Sequence, residues 1–414
     1  MTKFARKKVV ISGIGIISAV GTGKDHYWDA LFHGKSGFRP ISLFDASPMH
    51  ISMAGEITDF DPVPILGKKG LRELDRSTRL ISAAATMALD DSQLEINDDN
   101  ADSIGVSIGT TFGSLHSISQ FDRAGLLEGP RFVNPSHFPN TVINSPASRV
   151  SIRFRLKGFN TTISTGFCAG IDAVSYASDF IRLDRAHVVI AGGVEELCEE
   201  TLTGFARLGY LSRADTLGTP CCPFDKRRNG TILSEGAGVI VLEDEGHAVK
   251  RGSPIHAQIL GYGNAFDPSL DRHFNGSGTG LKKSIMNALS EASLTPGDIH
   301  YIVASANSTR GLDRMETAAI KDVFGELAYS TPVSAIKSMV GETYSASGIL
   351  SLIAGVGAIR HGKIPPTVNY REKDPECDLD YVPNEARTAQ IRHVLVLSSD
   401  PYGNSSVMII GRYE

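Results

Sequence analysis

With 414 residues, 41% of them apolar and 21% charged, the chain has enough hydrophobic material for a large core, and its length fits one large α/β unit or two to three average domains. A net charge of −5, with no basic stripe interleaved with aromatics, excludes an ordinary nucleic-acid binder. Five scattered cysteines (Cys168, Cys198, Cys221, Cys222 and Cys377) form no C-x-x-C pair, which argues against zinc or a disulfide framework and fits a reducing cytoplasm.

The basic start and the apolar run Val9 to Ile17 have the outline of a signal peptide, but the run reads better as a buried first strand ending in a Gly-rich turn. No other stretch approaches the ~20 apolar residues of a membrane span. The segment "GIGIISAVGTGK" lacks the glycine at Ser18 that both nucleotide-binding patterns need, so its glycines serve a tight turn. The runs "SIGVSIGT", "FNTTIST", "AHVVIAGG" and "GAGVIVLED" predict further strands up to residue 245. Between the first two lie bulky groups at near-helical spacing (Phe112, Leu115, His116, Ile118 and Phe121) and the Pro-, Asn- and Ser-rich stretch 127–148, which holds His137. A second irregular stretch spans 213–235; loops of such length are usually functional or bury an interface. Cys221 and Cys222 within it read as packing residues.

In "STGFCAG", Cys168 sits at a strand-to-helix junction, and a helix rich in small residues follows. A thiol at a helix start is favoured as thiolate by the macrodipole. A seam falls near 246–256, after which "PIHAQILGYG", "IHYIVASAN", "TPVSAIKS", "HVLVLSS" and "SSVMIIGRY" repeat the strand pattern. Here too a strand, near Val333–Ile336, precedes a small-residue helix in "KSMVGETYSASGILSLIAGVGAI". Two such helices can pack side by side between sheets, bringing Cys168 and the 337–345 segment face to face. Strands alternating with helices predict an α/β fold with mostly parallel, buried sheets. The match of Ser334 to Lys337 to S-x-x-K is short enough to arise by chance. The Asn229 glycosylation pattern matters only in a secreted chain.

Three strings, "PFDKRRNGTILSEGAGVIVLED" (223–244), "KSMVGE" (337–342) and "PPTVNYREKDPECDLDYVPNEAR" (365–387), resemble the β-ketoacyl-acyl-carrier-protein synthases, the type II ketosynthase family. The likeness runs from the first strand to the last. It implies the thiolase fold, a five-layered α/β/α/β/α sandwich of two duplicated halves, here 1–250 and 251–414, working as a dimer without metal or cofactor. In that family a cysteine at a helix start takes the acyl chain, and two histidines promote malonyl decarboxylation. Cys168 matches the nucleophile. Counting back from Asp313 and Glu316, Ser305 stands where the first histidine belongs in Asn-Ala-His-Gly-Thr-Ser-Thr. Glu342 stands where the second belongs in Lys-Ser-Met-Thr-Gly-His, five residues after Lys337. The family's Gly-Phe-Gly-Gly loop is replaced by Ser399-Asp-Pro-Tyr-Gly-Asn404, in which Pro401 brings no N–H and Tyr402 stands near the gating aromatic.

Removing one donor aimed at a developing oxyanion costs about 3–4 kcal/mol of transition-state stabilisation. Serine offers one weak donor and an ionised glutamate none, so condensation by this chain alone is not expected. The resemblance therefore implies most closely a chain-length factor, a non-condensing subunit that pairs with an intact ketosynthase and shapes the tunnel for acyl and malonyl thioesters delivered by an acyl carrier protein. Such factors often lose the cysteine, which this chain keeps. The alternatives are a Cys168-dependent acyltransferase with Glu342 as base, and a condensing synthase with an altered triad. Catalytic candidates are thus Cys168, Ser305, Glu342 and Lys337. Tunnel candidates are Phe112, Leu115, His116, His137 and Tyr402, with the Thr110 to Arg123 segment either a tunnel floor at the dimer interface or an amphipathic helix packed on its own subunit. No nucleic acid and no membrane are expected as partners.

Overall fold

All ten strands expected from the β-branched runs are present in the computed structural model, which describes residues 7–212, 221–269, 276 and 278–414. The first five are Val9–Ser18, Ile104–Gly109, Asn160–Ile163, Val188–Glu195 and Gly236–Asp244; the second five are Ala257–Phe266, Tyr301–Val303, Val333–Ser334, His393–Ser399 and Asn404–Gly411. Each set has the same order across its sheet: third, second, fourth, fifth, first. The two first strands pair through Val9–Ile11 and Ala257–Ile259, so the sheets meet edge to edge.

The expectation of mostly parallel sheets needs correction. Within each set the second strand lies parallel to the third and fourth, whereas the fifth is antiparallel to both the fourth and the first. Strands buried on both faces are apolar throughout whichever way they run, so the residue pattern did not carry direction. The first strand illustrates this, with all ten residues buried.

Three apolar layers fill the spaces around the two sheets, which is the five-layered thiolase fold. One outer layer packs helix Arg76–Ser92 on the first sheet through Leu80, Ala84 and Ala88 against Val106 and Val239. The other packs helices Thr279–Ala292 and Arg310–Phe324 on the second sheet through Ile285, Met315 and Ile320. Between the sheets lie the two small-residue helices, Ala169–Arg182 and Ser345–His361. A helix buried on all sides needs no polar face, and every residue from Ser345 to Ile359 is buried. Close approach requires glycine: a Cβ on Gly170 would collide with the Ser345 carbonyl.

The strings that carry the family likeness hold each other. The Phe224 ring stacks on Tyr381 at 3.8 Å. The Asp225 carboxylate accepts from the backbone of Arg371 and Glu372 at 2.5 and 2.7 Å. Buried Arg228 pairs with Asp374 at 2.5 Å and lies 3.6 Å from Asp313. Among the described residues, no helix is long and apolar enough to cross a membrane.

Candidate active site

Cys168 ends a 3-10 turn, Gly166–Cys168, and caps helix Ala169–Arg182. Its Sγ is fully buried, donates to the Ser398 carbonyl at 3.4 Å and lies 3.6 Å from the Asn404 carbonyl. The expected thiolate is not favoured here. Burial pushes the thiol well above its ordinary value, and the carboxyls of Asp172 and Asp400 push the same way. Desolvation of the charged form and the two carboxyls thus oppose the helix N-terminus. Burial also raises both of those carboxyls, so the acids share one dry environment with the thiol.

Asp400 was not singled out by the sequence pattern, although it lies in the altered loop. It accepts from the backbone N–H groups of Tyr402 and Asn404 and from Asn404 Nδ2, each at 2.9 Å. The Tyr402 and Asn404 N–H groups of the altered loop are therefore engaged by this carboxylate. The same carboxylate fills the space beside Gly166, whose φ of +65° suits glycine and where a Cβ would collide with Oδ2. Tyr402 itself is exposed on the turn.

Ser305 and Cys168 flank one peptide at the end of strand His393–Ser399. Ser305 Oγ accepts from Ser399 N–H at 3.1 Å, next to the Ser398 carbonyl that takes the thiol. The Ser305 and Ala306 N–H groups donate to Glu316 at 2.6 and 2.9 Å, and burial raises that carboxyl to about 8.

Lys337 and Glu342 form a buried ion pair, Nζ to Oε2 at 2.8 Å. Asn307 Nδ2 donates to the same oxygen at 2.8 Å. The other oxygen accepts from Ser347 Oγ at 2.7 Å and from Tyr344 N–H at 3.2 Å. A carboxylate has about four acceptor positions, and all four are taken. Lys337 Nζ also lies 3.5 Å from Ser305 Oγ, completing a closed polar network. Asn307 was missed from sequence, where the resemblance puts it against the first Thr of the family's Asn-Ala-His-Gly-Thr-Ser-Thr stretch. Only that exchange, two residues after Ser305, signalled it.

The tunnel candidates divide. Phe112 is half-buried beside Tyr344, with ring centroids 5.5 Å apart, and so joins the Cys168 neighbourhood. Leu115 and His116 begin helix Leu115–Leu127, none of whose residues is fully buried. His116 contacts Glu200 at 3.2 Å and lines a surface cavity of about 190 Å³ with Arg76, Glu196 and Cys198. His137 is exposed on the 3-10 turn Pro135–Asn140. The structure thus brings Cys168, Ser305, Lys337, Glu342 and Phe112 together but leaves His116, His137 and Tyr402 at the surface.

Two buried glutamates tie the 110–116 segment to this site. Glu195 accepts from Phe112 N–H at 3.2 Å and from Ser345 Oγ at 2.8 Å, and burial raises it to about 7. Glu196 accepts from His116 N–H at 3.1 Å; burial and nearby Asp75 raise it to about 8. A carboxyl raised in the folded state favours folding at low pH, and that advantage is lost as pH climbs from the unfolded value near 4.5 through 8. Glu196→Gln is therefore expected to match the parent near pH 4.5 and to exceed its denaturant midpoint increasingly toward pH 8. A constant difference across this window would contradict the assignment.

Profiles of the β-ketoacyl synthase N-terminal and C-terminal domains match residues 6–248 and 256–371. The tetracenomycin polyketide synthase ketoacyl synthase alpha subunit of Streptomyces glaucescens is 40% identical over 428 aligned residues, covering 100% of this chain and 99% of the relative. The 3-oxoacyl-[acyl-carrier-protein] synthase 2 of Coxiella burnetii is 37% identical over 409, covering 98% and 99%. The solved ishigamide ketosynthase/chain length factor superposes with a TM-score of 0.92 at 35% identity, covering 99% of this chain and 100% of that one. With its thiolase fold, its cysteine at a helix start and these matches along nearly its whole length, the chain belongs to the β-ketoacyl synthase family.

Proposed function

We propose that this chain is a chain-length-factor-like subunit, pairing with an intact ketosynthase in type II polyketide, polyene or fatty-acid-type synthesis. One observation carries the reading: Glu342, which the resemblance puts at the place of the family's second histidine, has all its acceptor positions engaged within a buried network. Such a group offers no donor to an enolate or oxyanion. The upward push on the Cys168 thiol and the engagement of the Tyr402 and Asn404 N–H groups by Asp400 support the same reading. The N-terminal half, 1–250, then contributes Cys168 as a residual thiol. The C-terminal half, 251–414, contributes the Ser305 and Glu342 positions in structural roles.

The partner ketosynthase would cover the apolar surface around helix Leu115–Leu127, where Leu126 and Leu127 are 85% and 73% exposed and Phe132 is 72% exposed. Apolar side chains so exposed and so close in sequence mark an interaction surface. In this reading Leu115, with Phe121 and its tilted contact to Phe138 at 6.1 Å, belongs to the tunnel floor at that interface.

Retention of Cys168 is the observation that favours acyl transfer as a second reading. Against it, Glu342 hydrogen-bonds to Lys337, Asn307, Tyr344 and Ser347, not to the thiol it would have to deprotonate. Supplied with acyl- and malonyl-carrier protein, the purified chain is expected to form no β-ketoacyl product, and addition of a cognate intact ketosynthase to start chain growth. Sustained condensation by the chain alone would overturn the proposal.

A further inference from the structure

We infer that Tyr344 is an aromatic plug that closes this chain's own acyl pocket. The inference rests on the chain-length-factor reading in one respect, that the acyl chain grows in the partner and not from Cys168.

An acyl chain leaving a thioester needs apolar walls. Around Cys168 Sγ stand the Ser398 and Asn404 carbonyls, with the carboxyls of Asp172 and Asp400 near enough to act on it. Phe167, the residue before Cys168, is the apolar wall next in the chain, and its ring is buried within an aromatic cluster. The Phe167 ring meets Tyr344 at 5.3 Å and Phe205 at 5.9 Å; Tyr344 meets Phe205 at 5.1 Å and Phe112 at 5.5 Å, and Tyr210 packs on Phe205 at 5.8 Å. Tyr344, at the centre, is fully buried. These are ordinary edge and tilted ring contacts, so the five rings form one packed aromatic cluster, which we assign to the space an acyl chain on Cys168 would need.

The backbone of Tyr344 indicates that this packing is imposed. Its φ of 49° with ψ of −119° is a conformation that bulky residues avoid. Such strain persists only where the surroundings over-determine it. Here the Glu342 carboxylate accepts the Tyr344 N–H at 3.2 Å while held by Lys337 and Asn307. Thus the group that replaces the histidine also positions the plug.

The test uses the chain without a ketosynthase, so its outcome is independent of the reconstitution described above. The probe is a medium-chain fatty acid carrying a terminal diazirine, with photolabelled peptides mapped by mass spectrometry. Tyr344→Gly removes the ring and relaxes the backbone; Tyr344→Phe keeps the plug. The wild type and Tyr344→Phe are expected to take almost no label at the peptides holding Phe112, Phe167 and Phe205. Tyr344→Gly is expected to take roughly tenfold more, as an opened apolar cavity accepts apolar ligands. Phe205→Ala opens the same space from another element and decides the matter if Tyr344→Gly does not fold. Equal labelling of wild type and variant at these peptides, or none in a folded variant, would overturn the inference.

Discussion

Replacing Glu342 by alanine is expected to destabilise the protein by about 3–5 kcal/mol, because it leaves a buried lysine without its counter-charge. Lys337 and Glu342 are both almost wholly shielded from water. The same substitution strips acceptors from Asn307, Ser347 and the Tyr344 N–H. Each orphaned buried donor costs a further desolvation penalty of roughly 1–3 kcal/mol, not fully additive. The double substitution Lys337→Met with Glu342→Leu removes both charges and is expected to recover much of the loss, as apolar replacements of buried pairs often do. Urea unfolding of both variants checks this. A Glu342→Ala midpoint equal to the parent's would mean that the pair is not a structural unit.

Restoring both family histidines, Ser305→His with Glu342→His, is expected to leave condensation at least about a thousandfold below that of an intact ketosynthase, since missing oxyanion donors cost a factor of about a hundred to a thousand each. The histidines alone do not repair the site. Cys168 stays protonated because burial, Asp172 and Asp400 all raise it. Asp400 continues to hold the Tyr402 and Asn404 N–H groups. Adding Asp400→Gly is expected to raise the rate of the histidine double variant by freeing those donors and removing a charge beside the thiol. Formation of β-ketoacyl-carrier protein by each variant is the measurement. A double variant within tenfold of the intact enzyme would show that the histidines were the whole defect.

The architecture was legible because β-branched runs mark strands and small-residue helices mark close packing. Gly170 against Ser345 is that rule in one contact. Strand direction was not legible, since Val9–Ser18 is apolar on both faces regardless of its neighbours' sense. In the site, motif spacing pointed to Ser305 and Glu342, both in contact with Lys337 in the structure, because the surrounding Asp313, Glu316 and Lys337 set the register. It did not find Asn307, whose amide reaches Glu342 only through the fold. The place of Cys168 at a helix start predicts a favoured thiolate. What decides its protonation comes from Asp400 near the other end of the sequence and from burial, neither of which local spacing records. Tyr344 gave no signal at all, because its strain and its ring partners are properties of the packed core.

Turnover of the reconstituted complex carrying Cys168→Ala in this subunit alone decides whether the chain, as proposed, supports chain growth without performing its chemistry. Loss of a working nucleophile in an enzyme costs roughly 10⁴-fold or more in rate. Turnover is expected to stay within about twofold of the parent complex, since a buried thiol with a raised pKa behind packed rings contributes nothing to catalysis. A loss of about a hundredfold or more, with an acyl group trapped on Cys168 of the parent chain, would contradict it.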